Sequence, residues 1–224
     1  MDETEEELLA RIRRAETSVA ARKLRLAQAL ASGDFASLTE SLDLSALAWQ
    51  LARSGAWDKA EEVARSIADD PDERDEALAL IAQCLADAGE AARAESLAVS
   101  LPSDPDRHDV LHEKCEALTR VARAFAGLGA VPQARQALAN ALEATAILEP
   151  ISLWEAPSCL VDIAKVYRAI GDIGDARNVL HAAITSAMQH TDTDCTKIIR
   201  RARKELEELG QHVRLNEPGS SLTG

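Results

Sequence analysis

Four glycines in this chain are each surrounded by the same pattern of small and apolar residues. They are Gly55, Gly89, Gly129 and Gly171. An alanine stands seven residues before each glycine, and a second alanine stands five residues after it. Apolar residues also recur four, eight and eleven residues before each glycine. Internal repetition with a period of roughly 20–50 residues is the mark of a solenoid or a similar repeat architecture.

The composition favours helices as the repeating element. Hydrophobic residues make up 46% of the 224 residues, but aromatic residues make up only 3%. Alanine and leucine carry most of the apolar content, and both are strong helix formers. Runs of β-branched residues with period two are absent, so the sequence predicts an all-α chain.

The spacing divides the chain into four segments. Residues 43–188 hold four repeats, in each of which helix A ends at the glycine and helix B follows it. A glycine in the left-handed conformation is a common helix C-cap. Asp70 before Pro71 and Asp104 before Pro105 predict helix starts, with aspartate as the N-cap and proline at the first helical position.

The segments outside the repeats are predicted to close or extend the array. Residues 1–42 contain an amphipathic helix at 5–31 and a short helix at 35–42, which would form a cap or a docking element. Residues 189–210 are predicted to form a C-terminal capping helix, with Arg203 on its outer face. The tail, 211–224, has no periodicity and is expected to be disordered. A homodimer through the N-terminal helix is an open alternative.

The repeat resembles the tetratricopeptide repeat, a helix-turn-helix unit in which small residues lie where two helices cross closely. The resemblance rests on eight alanines: Ala48, Ala82, Ala122 and Ala164 before the glycines, and Ala60, Ala94, Ala134 and Ala176 after them. It implies a right-handed α-α superhelix of about four repeats with N- and C-terminal capping helices. It is specific for architecture and not for activity. The chain departs from the family pattern in having leucine where the family has an early aromatic residue.

The resemblance also implies a binding surface, because the A helices of that family line a concave groove. Six residues before each glycine, and at neighbouring positions of that face, the chain carries an aromatic, an amide and several cations. These candidate partner-binding residues are Trp49, Arg53, Gln83, Arg120, Arg123, Lys165 and Arg168. Tryptophan and arginine are typical of binding hot spots. The expected function is a non-catalytic scaffold or adaptor that binds an acidic or extended segment of another protein.

Two simpler interpretations of these residues stay open at this point. Arginine and lysine are common on solvated helix faces, where nearby carboxylates pair with them at little gain in stability. Trp49 could instead pack beneath the N-terminal helix, since tryptophan is largely buried on average.

The net charge of −13 limits the classes of partner. General nucleic-acid binding and attachment to anionic membranes both depend on clustered lysine and arginine, so both are disfavoured. RNA binding by a helical-repeat surface is nevertheless kept as the alternative function. The acidic N-terminus lacks the apolar core of a signal peptide, and a cytoplasmic location is expected.

A metal site is the third hypothesis. His108, His112 and Cys115 stand at positions i, i+4 and i+7 of one helix and could present ligands to Zn²⁺. Three ligands from one helix rarely converge on a tetrahedral ion, so no cofactor is expected. No phosphate loop, nucleophile elbow or metalloprotease motif is present in the sequence, so the chain is not predicted to be an enzyme.

Overall fold

The structure is a computed structural model that describes residues 44–189 and 193–216, with side chains as far as Gly210. Within these ranges the chain forms nine α-helices and no strand, as the composition predicts. The helices are α1 (Leu44–Arg53), α2 (Trp57–Arg65), α3 (Pro71–Asp87), α4 (Ala91–Ser100), α5 (His108–Gly127), α6 (Val131–Leu148), α7 (Glu155–Ala169), α8 (Ile173–Ala187) and α9 (Thr193–Asn216). The helices predicted at 5–31 and 35–42 lie outside the described residues.

The chain divides into two compact units, residues 1–74 and 75–224. In the first unit, α1 packs against α2. In the second unit, α5 packs against α6 and α7 packs against α8. Helix α7 also contacts both α5 and α6, so it lies against the preceding helix pair as well as its own partner.

A glycine with positive φ follows the first helix of each of the four pairs. The φ angles are +82°, +87°, +71° and +86° at Gly55, Gly89, Gly129 and Gly171, which are the only residues in the described ranges with positive φ. A side chain is disfavoured in this left-handed region because Cβ approaches the backbone carbonyl oxygen. The prediction of a left-handed C-cap at these glycines is therefore confirmed.

Two backbone hydrogen bonds close each of these turns, as α5 illustrates. The Gly129 N–H donates to the Ala126 carbonyl at 3.0 Å, and the Ala130 N–H donates to the Phe125 carbonyl at 2.9 Å. This pair of bonds is the Schellman motif, which satisfies carbonyl groups at a helix end. The same pair of bonds recurs in the other three turns, at 2.9–3.1 Å.

The residue after each glycine also starts the next helix. Ala130 is the N-cap residue of α6, and its carbonyl accepts the Ala134 N–H at 3.0 Å. No side chain caps α6 at this end. Because one residue ends the first helix and begins the second, the path of the chain through the turn is fixed by backbone bonds alone.

The small positions of the pattern lie where the helices pack. Each of the eight alanines that carry the tetratricopeptide resemblance is at most 1% exposed. Alanine has no atom beyond Cβ, so helices that meet at these positions can approach closely, and adding methylene groups there would overpack the core.

The aspartate–proline pairs of the linkers behave differently from each other. Oδ1 of Asp70 accepts the N–H groups of Asp72 and Glu73, both at 3.0 Å, and α3 begins at Pro71. The predicted helix start is confirmed there. At Asp104 the prediction is wrong, because Asp104 and Pro105 lie in a turn and α5 begins only at His108.

A buried lysine explains why the α4–α5 linker does not join the helix. Nζ of Lys114 donates to the Leu101 carbonyl at 2.6 Å and to Oγ of Ser103 at 2.7 Å. At the far end of the linker, Arg107 pairs with Asp75 at 2.9 Å. These bonds hold the linker against α5 and α3. Arg107 has φ −116° and ψ 60°, so the backbone there is not helical and α5 begins after it.

Helix α9 covers one side of the last pair, packing against α7 and α8. Its inward face buries Cys195, Ile198, Ala202 and Leu209, whereas Arg203 is exposed as expected. The sequence places the end of this helix at Gly210, but the helix continues to Asn216. The boundary between capping helix and tail is therefore wrong for 211–216, because Gly210 does not adopt the left-handed conformation. Residues 217–224 lie outside the described residues.

None of the helices in 44–189 and 193–216 combines the length and the apolar character that crossing a lipid bilayer requires.

A pair of glycines at the end of α5 tests the role of the left-handed turn. Gly127 is the last residue of α5 and does not have positive φ, whereas Gly129 is the turn residue. Beyond the adjacent residues and the backbone of its own helix, a Cβ added at either glycine would meet no atom within 4 Å. We expect Gly129→Ala to lower the free energy of unfolding by about 1–2 kcal/mol through backbone strain. Gly127→Ala should leave it unchanged or raise it by about 0.5–1 kcal/mol. Denaturant unfolding followed by circular dichroism measures both, and equal effects would contradict the assignment.

Candidate functional site

A cavity of about 220 Å³ lies between α5 and α7, the first helices of the third and fourth pairs. Five of its lining residues recur at helical spacing along one face of α5, and three belong to α7. They are His112, Glu116, Thr119, Arg120 and Arg123 on α5, and Ser158, Cys159 and Asp162 on α7. Pockets for small molecules enclose roughly 300–1,000 Å³, so this cavity suits one or two side chains of a larger ligand.

Most charges at the cavity wall are already paired. Arg120 lies 2.7 Å from a carboxylate oxygen of Asp87 on α3 and 3.9 Å from Glu116. Asp162 lies 2.7 Å from Lys165 and 3.2 Å from Arg201 of α9. Arg120, Lys165 and Arg201 therefore each have an acidic partner, as expected if these cations belong to an ordinary solvated surface.

Arg123 differs from its neighbours. Its side chain is exposed at the cavity and forms no ion pair or hydrogen bond with the described part of the chain. A guanidinium group carries five donors in a fixed planar fork, which matches a carboxylate or phosphate bidentately. Arg123 is therefore the cavity cation best able to accept an incoming anion.

Two of the predicted binding residues have structural partners instead. Nη1 of Arg168 lies 2.6 Å from carboxylate oxygens of both Glu205 and Glu208, so this arginine joins α7 to α9. Gln83 is only 6% exposed, and its Nε2 donates to Glu113 at 2.7 Å. Contrary to expectation, Gln83 does not lie on an open face, because α5 covers it.

The carboxylate that Gln83 contacts is itself perturbed. Burial raises the pKa of Glu113, and the hydrogen bond from Gln83 opposes that rise. A half-buried carboxylate without this amide would be less favourable in its charged form. Gln83 is therefore part of the contact between α3 and α5.

Trp49 and Arg53 lie in the first unit and contact each other. The guanidinium carbon of Arg53 is 4.8 Å from the centroid of the Trp49 ring, a cation–π geometry. Trp49 is 38% exposed. The alternative in which it packs beneath the N-terminal helix concerns residues outside the described ranges.

The proposed metal ligands do not converge. His108 pairs with Asp109 at 3.1 Å, whereas Sγ of Cys115 is buried 3.0 Å from Oγ1 of Thr145. His112 faces the cavity, with Nδ1 3.8 Å from Sγ of Cys159. In 44–189 and 193–210 no three histidine, cysteine, aspartate or glutamate side chains are placed to hold a metal ion.

Sequence reasoning missed the residues that α7 and its preceding linker contribute. Cys159 and Asp162 line the cavity, and the ring centroid of Trp154 lies 6.3 Å from that of His112 with the planes tilted by 50°. The only signal in the sequence that draws attention to Trp154 is the rarity of aromatic residues in this chain. Its proximity to His112 depends on how α5 packs against α7, which periodicity along one helix does not reveal.

No protein-family model, curated protein or solved structure matches this chain.

The four cysteines make the burial of the cavity wall testable. Each carries a thiol, Cys84 is half-buried, and Cys159 is buried beside Cys115. The neighbouring Cys115 thiol, together with burial, holds the pKa of the Cys159 thiol well above its usual range. Because the thiolate is the nucleophile, we expect alkylation by iodoacetamide to modify Cys84 first and Cys159 only at higher pH. Peptide mapping by mass spectrometry gives the order.

Unfolded protein in denaturant is the control for this order, since its cysteines should react at similar rates. Alkylation of Cys159 in the native protein at neutral pH as fast as in the unfolded chain would contradict the buried position of this thiol.

The bridge from Arg168 to α9 predicts a local effect on stability. Because Arg168 is partly exposed, Arg168→Gln should cost only about 0.5–1 kcal/mol overall. Hydrogen exchange should rise in α9 while exchange in α6 stays unchanged. Arg177→Gln is the matched control, since Arg177 is exposed on α8 without an ion pair to the described residues. Equal exchange in α9 for the two variants would exclude the bridge as a support for that helix.

Proposed function

We propose that this chain is a tetratricopeptide-like helical-repeat protein without catalytic activity, and that it binds an acidic or extended segment of another protein. The binding surface is the cavity between α5 and α7 and the adjoining face of these helices. The anionic group of the partner pairs with Arg123.

The four-fold recurrence of one turn supports the architectural part of the proposal. Every pair has a left-handed glycine, the two bonds of the Schellman motif and buried alanines at the small positions. Helix pairs that each contact their neighbours are the building plan of solenoid proteins. Such arrays present extended surfaces, which suit extended ligands better than compact substrates.

The unpaired guanidinium of Arg123 supports the proposed binding of an anionic group. Arg120, Lys165 and Arg168 each have a carboxylate within 4 Å, whereas Arg123 has none among the described residues. Pairing with a partner's carboxylate costs Arg123 no existing ion pair. The other three would exchange one ion pair for another, which brings little net gain.

The remaining groups of the cavity suit a peptide backbone. Glu116 and Asp162 can accept N–H groups, and the Ser158 hydroxyl can donate to a carbonyl group. The Thr119 hydroxyl already donates to the Cys115 carbonyl at 2.8 Å. An extended peptide presents both N–H donors and carbonyl acceptors along its length. A wall with both kinds of polar group therefore fits a peptide better than it fits a uniformly anionic ligand.

The test is affinity capture from native lysate followed by mass spectrometry, with wild type, Arg123→Glu and Arg177→Glu as matched baits. Arg177 is the control because it is an exposed arginine on α8, away from the cavity lining. We expect a protein captured by the wild type and by Arg177→Glu to be lost with Arg123→Glu. Circular dichroism and thermal melting should be the same for all three baits, since both arginines are exposed.

Equal capture by all three baits would contradict the assignment of the cavity. Loss with both variants would indicate that net charge, and not the site, governs binding.

A further inference from the structure

The linker between α6 and α7 exposes three large apolar side chains within four residues. Ile151, Leu153 and Trp154 are 39%, 44% and 49% exposed, and we call these three residues the apolar patch. Scattered apolar residues on a protein surface need no explanation, but clustered ones mark interaction sites more often. Tryptophan is also among the residues most enriched in binding hot spots.

The apolar patch adjoins the cavity. Trp154 contacts His112 at a centroid distance of 6.3 Å, and His112 is the first α5 residue of the cavity wall. The cavity continues along α5 from His112 to Arg123. The apolar patch and Arg123 therefore lie at opposite ends of one continuous surface.

The distance between these two ends sets the length of a matching ligand. His112 and Arg123 are eleven residues apart on one helix, which corresponds to about 16 Å along its axis. An extended peptide advances about 3.3 Å per residue, so it covers this distance in about five residues.

We propose that the partner segment is an extended peptide with a large apolar side chain and a carboxylate about five residues apart. The apolar side chain packs on Trp154, and the carboxylate pairs with Arg123, which has no anion of its own in the described ranges. This rests on the proposed function and adds the chemistry of the ligand to it. The two contacts are complementary in kind, because one removes apolar surface from water and the other supplies a charge-assisted hydrogen bond.

The experiment uses end-blocked, fluorescein-labelled peptides of glycine and serine that carry one leucine and one glutamate. The two residues are placed about five positions apart in both orders, or at adjacent positions. Matched peptides replace leucine by alanine or glutamate by glutamine. Fluorescence anisotropy gives Kd for the full-length protein and for Trp154→Ala, Arg123→Gln and Met188→Ala. Met188 is the control because it is exposed and lies outside both the cavity and the apolar patch.

We expect the peptide with both groups at the long spacing to bind at least about tenfold tighter than either single replacement, a difference of about 1.4 kcal/mol. Trp154→Ala should weaken binding of the leucine peptides but not of the alanine peptide. Arg123→Gln should weaken binding of the glutamate peptides but not of the glutamine peptide. Such paired effects identify which groups touch, since a general structural defect would weaken every peptide equally. Trp154→Phe keeps an aromatic ring at the start of α7 and should retain part of the affinity.

Three results would overturn the proposed peptide, in which an apolar side chain and a carboxylate are about five residues apart. The first is equal binding of the long-spaced and adjacent peptides, and the second is no binding by any of them. The third is tighter binding of a labelled single-stranded RNA that depends on Arg123 and falls steeply with salt. Lysate capture that depends on Arg123 but not on Trp154 would leave the proposed function intact and remove only the apolar contact. Independence from both residues would remove both proposals.

Discussion

The residue after each left-handed glycine links the two helices of its pair through backbone hydrogen bonds. The N–H of the residue after the glycine donates to a carbonyl of the first helix, and the carbonyl of the same residue accepts the first bond of the second helix. The two helices of a pair are therefore joined without any capping side chain. Since the turn fixes how the chain leaves one helix and enters the next, the alanines on either side of it reach their packing positions together. The cavity lies between α5 and α7, and each of these helices ends in the same glycine turn.

Charge at the cavity is organised by helices distant in sequence. Asp87 of α3 pairs with Arg120, and Arg201 of α9 pairs with Asp162, so both flanking helices contribute to the balance around α5 and α7. Arg123 has no such ion pair in the described part of the chain. A chain with a net charge of −13 has many carboxylates to offer, so a surface arginine without one is the more informative position.

The local structure could be predicted from the sequence, because glycine and alanine at fixed offsets have few structural alternatives. The helical class, the left-handed turns and the start of α3 all follow from residues close in sequence. The pairing of Arg168 with Glu205, and the burial of Gln83 by α5, could not be predicted in this way. Both depend on which helix lies opposite, as does the contact of Trp154 with His112. Arg120 and Arg123 line the same cavity because one helix carries them three residues apart.

The small volume of the cavity affects how long a bound segment stays, as well as how tightly it binds. Burying one apolar side chain brings about 1.5–3 kcal/mol, and a charge-assisted hydrogen bond about 1.5–3 kcal/mol. Their sum falls short of the roughly 8 kcal/mol of a micromolar complex. Differences in affinity between related complexes lie mostly in the dissociation rate, so a segment held only at the 220 Å³ cavity leaves quickly. A long-lived complex at this surface requires a second point of attachment, which raises the effective concentration of the first.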